Sequence, residues 1–178
     1  MCWHKALEIE RGSGDVVNFL NASLAYQAGG ANANYYPRSS NSNVVFVGNS
    51  TNTNTSTSPG LIAYCWTGVE GFSRFSYYEG NASTPGPFVY LGFRPEMIML
   101  KGLGSTWWYI FDSARDPDNP VQHQVYPNEP DSEYSAVDRV NFFSNGFNVV
   151  SSTSDPNQGM RWIYAAWAEH PFKTARAR

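Results

Sequence analysis

Charge is what this chain has least of. Only 15% of its 178 residues are Asp, Glu, Lys or Arg, well under the roughly one quarter of an ordinary globular domain. With a net charge of −3, it offers no basic field to draw in phosphates, and a nucleic-acid partner is not expected. Cysteine is nearly as rare: Cys2 and Cys65 are the whole complement. The chain is long enough to fold without staples, so two free thiols are expected. Nowhere does an apolar run approach the ~18 residues of a membrane span, and no charged-then-apolar leader opens the sequence. A soluble protein without membrane insertion is the expectation.

The usual signatures of chemistry are missing too. His4, His123 and His170 stand alone, and neither cysteine forms a Cys-x-x-Cys pair, so no zinc site is expected. "DPDNP" at 116–120 supplies the oxygen ligands Asp116, Asp118 and Asn119, but Pro120 takes the third EF-hand ligand position, and the segment reads as a turn. There is no nucleophile elbow, phosphate loop or dinucleotide fingerprint. Asp112, Asp116, Glu129, Asp131 and Glu133 could supply a glycosidase pair, which needs two carboxyls about 5–10 Å apart, but five acids in polar loops is an ordinary count. No catalytic residue, metal or cofactor is expected.

What the sequence does have is aromatic residues, 16% of the total, together with many Asn, Ser and Thr. Short apolar or alternating runs recur between turn signals, the pattern of an all-β protein. The runs predict strands at 44–47, 61–66, 72–78, 87–91, 96–101, 106–112, 138–143, 147–152 and 160–168. Asn145-Gly146 predicts a type I′ hairpin turn between antiparallel neighbours. In the "GFRP" turn Gly92 supplies backbone freedom and Pro95 fixes φ before the strand that follows. Residues 48–60, "GNSTNTNTSTSPG", are too polar to fold alone and read as a loop. Asn21, Asn49, Asn54 and Asn81 open glycosylation triplets, which so Asn- and Ser/Thr-rich a chain produces by chance.

Two stretches share a layout. Residues 44–66 and 147–167 each run from an apolar strand through a Ser/Thr/Asn loop to an aromatic strand, with Trp66 and Trp167 in matching places. The spacing suggests a weak repeat of about 100 residues. Residues 1–71 would hold part of one unit, 72–172 a complete unit and 173–178 a tail, all within one domain spanning 1–178. The fold class expected is an antiparallel β-sandwich.

Neighbouring strand residues point to opposite faces. One of Trp107 and Trp108 can therefore enter the core while the other faces out, to meet a glycan, a subunit or a covering loop. In "RWIYAAWA", Trp162, Tyr164 and Ala166 share one face and Ile163, Ala165 and Trp167 the other. Both faces are apolar, which predicts a central strand covered on both sides and points to assembly. Trp107, Trp108, Trp162 and Tyr164 are the candidate contacts for a glycan or a neighbouring subunit. Asp112 and Arg115 can pair locally, and the tail carrying Arg176 and Arg178 can dock on an acidic neighbour.

The ordered motifs "FSYYEGNAS", "GPFVYLGFRPEMIMLKG", "WYIFDSARDP", "NFFSNGFNV", "WIYAAWAEHPFK" and "TARAR" resemble a family of bacteriophage virion proteins common in aquatic phages, of tail-fibre or head-decoration type. The likeness covers most of residues 62–178 and more loosely the first sixty. It implies a non-enzymatic, lectin-like sandwich of jelly-roll or concanavalin A type, located in the virion. Its partners would be other tail or capsid proteins and further copies of itself, and host-surface glycans if it serves adhesion. Met1 falls partway through a repeat unit, so the chain is either a short stand-alone protein or a piece of a longer fibre.

Overall fold

The computed structural model describes residues 16–17, 23, 27–28, 39–40, 43–48, 54, 62–135, 139–151 and 156–171. All regular structure among them is β. Four two-residue strands come first: β1 (Val16–Val17), β2 (Gln27–Ala28), β3 (Ser39–Ser40) and β4 (Val45–Phe46), paired antiparallel as β1 with β2 and β3 with β4. The longer strands are β5 (Ser73–Glu79), β6 (Phe88–Tyr90), β7 (Pro95–Gly102), β8 (Trp108–Asp112), β9 (Val140–Phe143), β10 (Gly146–Val149) and β11 (Arg161–Ala168). They build two sheets, a four-stranded one in the order β5-β11-β7-β8 and a three-stranded one in the order β6-β10-β9, with every pairing antiparallel.

Side-chain alternation explains how the sheets meet. Trp162, Tyr164 and Ala166 of β11 lie in register with Tyr78 and Ser76 of β5 and with Leu100 and Ile98 of β7. These positions turn one face of the large sheet inward, and Val89, Phe142, Phe147 and Val149 of the small sheet join them in one core. Phe147 bridges the layers, edge-on to Tyr78 at 6.1 Å and to Tyr164 at 5.9 Å. Offset and edge-to-face rings at such distances add about 0.5–1.5 kcal/mol each beyond the area they bury. As its sequence predicts, β11 is central, with β5 and β7 on either side.

The segment after β8 ties the sheets together. Val125 bridges to Ile110 on the edge of the large sheet, and Val121 bridges to Val140 on the edge of the small one. Val121 and Tyr126 are buried in the shared core. A bulge follows Trp167, so that Ala168 faces Pro95 rather than Glu96. Pro95 has no N–H to give a ladder, which confines it to a strand's first residue or an irregularity.

Two sequence expectations change here. Residues 62–66 form no strand and are exposed, including Tyr64 and Trp66. The β9–β10 hairpin exists, but its two loop residues are Ser144 and Asn145, while Gly146 pairs with Phe143 inside the ladder. Neither Asn145 nor Gly146 has positive φ, so the turn is not type I′. Gly146 is needed for space instead: a Cβ there would lie 2.1 Å from the Val89 carbonyl oxygen on β6. Gly92, in contrast, adopts φ of 85° as expected of its turn.

Candidate functional site

On its outer face the three-stranded sheet carries residues that the core does not use. Register places Tyr90, Gly146 and Phe143 in one cross-strand row, and Phe88, Asn148 and Asn141 in the next. The central strand thus contributes only a glycine and an amide, with Tyr90 and Phe88 on one flank and Phe143 and Asn141 on the other. The result is a shallow trough of about 490 Å³ lined by Pro85, Gly86, Phe88, Phe143, Ser144, Asn145 and Asn148, none of them charged. Phe88 leans across the glycine, with its ring 5.9 Å from that of Phe143. Phe88, Tyr90 and Phe143 remain 50%, 58% and 39% exposed. The Asn148 side-chain oxygen is buried and has no hydrogen-bond partner, a costly state for a polar atom.

The four aromatics singled out in the sequence fall elsewhere. Trp162 and Tyr164 are buried between the two sheets, Trp162 donating from Nε1 to the Gln158 carbonyl at 3.2 Å. Burial also raises the Tyr164 phenol above its ordinary value. Trp108 is buried on the opposite face of the large sheet, with Leu103 and Ile163. Trp107 points the other way, 40% exposed, with its ring edge-on to Tyr126 at 4.9 Å. Of the four, only Trp107 presents a sizeable surface. Phe88, Tyr90 and Phe143 were legible as strand aromatics, but which face they took depended on pairings that a linear pattern does not contain.

Charged groups gather at the end of β8. Asp112 accepts from Arg115 Nε at 2.7 Å, and the same guanidinium reaches Glu133 at 3.3 Å. Asp116 accepts from the backbone N–H groups of Gln122 and His123 and holds His123 Nδ1 at 2.6 Å. The far side of that imidazole faces Glu133 at 3.8 Å. Partial burial pulls the Asp112 and Asp116 carboxyls upward, but Arg115 outweighs it for the first and the bonds from residues 122–123 for the second, and both lie below the ordinary value. The hydrogen bond to Asp116 raises His123 above the ordinary imidazole value. Each of these carboxylates is engaged in holding a loop. Asn119 extends the same staple, giving and receiving one hydrogen bond with the backbone of Phe142. Among the described residues, no three His, Cys, Asp or Glu side chains are grouped to hold a metal ion.

The outer face of the large sheet is mainly apolar, bordered at one end by Arg161, which lies over the Tyr77 ring at 4.3 Å and pairs with Glu79 at 2.7 Å. Around the buried Trp108 and Ile163 lie the half-buried Tyr77 and Met99, and Trp167 packs edge-on to Phe75 at 5.6 Å. Lys101, fully buried on this side, reaches the carbonyls of Gly102 at 2.8 Å and Gly104 at 3.0 Å, and the Thr106 hydroxyl at 3.3 Å. Its ammonium thereby organises the turn before β8. Cys65 is an exposed free thiol. Cys2, His4, Asn21, Asn49, Arg176 and Arg178 lie outside the described residues. Among the described residues no helix is long and apolar enough to cross a membrane.

The family described as a domain of unknown function (DUF7483) matches residues 1–171. Neither a curated protein nor a solved structure matches the chain.

Proposed function

Since this chain belongs to the DUF7483 family, whose description assigns no activity, its role is read from its surfaces, and we propose that it is a bacteriophage virion structural protein. It acts by assembly and attachment, as part of a tail fibre or as a capsid decoration protein, and not by catalysis. The observation that carries this reading is the second apolar face of the large sheet, where Phe75, Met97, Met99, Ile110 and Trp167 are only partly buried. Contiguous apolar surface of this kind marks interaction sites, and a symmetric oligomer of identical copies is its simplest partner. The resemblance to phage virion proteins supports the same role and gives the two sheets a jelly-roll or concanavalin A-like lineage with a weak internal repeat.

Light scattering on the purified protein tests the assembly. An oligomer is expected, and Trp167→Asp should disperse it while leaving the β-rich circular dichroism unchanged. A wild-type chain that stays monomeric at high concentration counts against the proposal.

A second reading, a carbohydrate-binding adhesion module, is favoured by one separate observation: the uncharged aromatic trough on the small sheet. The two readings are compatible, because a virion surface protein can also grip the host.

A further inference from the structure

We propose that the trough between β6 and β9 is a binding site for a neutral hexose of a glycan chain, seated on Phe88 and Phe143 over Asn148. This rests on the adhesion reading above and names its site and ligand class.

Three features of the trough select the ligand. The rings of Phe88 and Phe143 pack on each other on the sheet's outer face and remain 50% and 39% exposed. Flat, exposed rings match the C–H face of a pyranose, which is apolar and broad. Next, the side chains between and beside the rings are amides and a hydroxyl, namely Asn145, Asn148 and Ser144. Such groups both donate and accept, as sugar hydroxyls do. Asn148 lines the trough, and because its side-chain oxygen is buried without a partner, a turn of the amide toward a sugar hydroxyl breaks no bond to that oxygen. Finally, no lining residue is charged. A uronic or sialic acid would find no cation there to offset the desolvation of its carboxylate.

Backbone geometry places the Phe88 ring. Gly146 cannot carry a side chain because of the Val89 carbonyl, and Phe88 lies over the bare glycine, where it meets Phe143. The sugar-binding surface and the packing of the small sheet therefore depend on the same glycine.

The test is calorimetry and saturation-transfer NMR of the full chain with maltohexaose, cellohexaose, mannohexaose and β-galactohexaose, alongside an alginate hexamer. At least one neutral hexaose should bind, and the alginate hexamer should bind at least tenfold more weakly. Phe143→Ala and Phe143→Leu should each weaken binding at least tenfold, since leucine keeps the apolar bulk but loses the flat ring. Trp107→Ala, remote from the trough lining, should leave it within twofold. Circular dichroism and light scattering on each variant confirm fold and assembly. If hexaoses bind but only Trp107→Ala weakens them, the trough is not the site and the adhesion reading survives. If none binds the folded wild-type chain, site and adhesion reading fall together. If Phe143→Ala instead breaks the oligomer, the trough is a contact between copies and the proposal is overturned.

Discussion

At the residue scale, a buried amide and a glycine each fix a close contact between distant parts of the chain. Asn157 is fully buried, and its amide donates to Asn81 Oδ1 at 2.9 Å, the Ser83 carbonyl at 2.9 Å and the Ser151 carbonyl at 2.7 Å, while its oxygen accepts from the Asn81 N–H at 3.0 Å. Asn157→Ala removes all four of these bonds from a fully buried site and should cost about 1–3 kcal/mol in urea unfolding. A loss under about 0.5 kcal/mol, the range of a plain surface change, would show that water replaces the amide. Asn81, which opens one of the glycosylation triplets, is committed to this network and to the Pro85 carbonyl. Gly146→Ala drives a methyl into the Val89 carbonyl, and overpacking of this kind costs about 1–3 kcal/mol. Gly159→Ala is the control: its new Cβ meets nothing closer than the Ala82 Cβ at 4.0 Å, so its stability should move by less than about 0.5 kcal/mol. Equal effects at the two glycines would refute the steric account.

Elements were the most legible level of the sequence. The alternation in "WWYIFD" and the unbroken apolar run in "WIYAAWA" correspond to β8 and β11 to within two residues, because inward and outward positions follow from the pleat alone. The run at 61–66 has the same look but forms no strand over 62–66, since a strand also needs a ladder partner and composition cannot supply one. Asn145-Gly146 marked a real hairpin for the wrong reason: the glycine serves close packing with β6, a contact far away in sequence. The loop staple after β8 was equally hidden. His123 looked isolated because Asp116 and Glu133 reach it only once the loop folds.

That staple makes stability depend on pH in a defined direction. His123 holds its proton more tightly when folded, so its contribution is complete below the ordinary imidazole value of 6.5 and is lost as pH rises through the folded value. Asp112 and Asp116 behave oppositely, with contributions complete above 3.8 and lost as pH falls through their folded values. Together these groups favour the interval between 3.8 and 6.5. Urea unfolding followed from about pH 6 to about pH 9 should show wild-type stability declining, with that decline reduced in His123→Gln. An unchanged slope in the variant would remove His123 from the account.

The whole molecule was the least legible level. Sheet order depends on pairings such as β6 with β10 and β5 with β11, which join distant parts of the chain and leave no local trace. For the same reason the sequence favoured its tryptophans as contacts, while the fold buries Trp108 and Trp162 and exposes Phe88 and Phe143. Among the described residues two unlike surfaces stand out: an apolar face on the large sheet suited to assembly, and a neutral aromatic trough on the small sheet suited to a ligand. That division of labour fits a component that is fixed to a particle on one side and meets its surroundings on the other. The most direct measurement is quantitative mass spectrometry of density-purified phage particles from the culture that makes this chain. The account expects its peptides in the particles at a fixed ratio to the other virion proteins; finding the chain only in the particle-free lysate would contradict it.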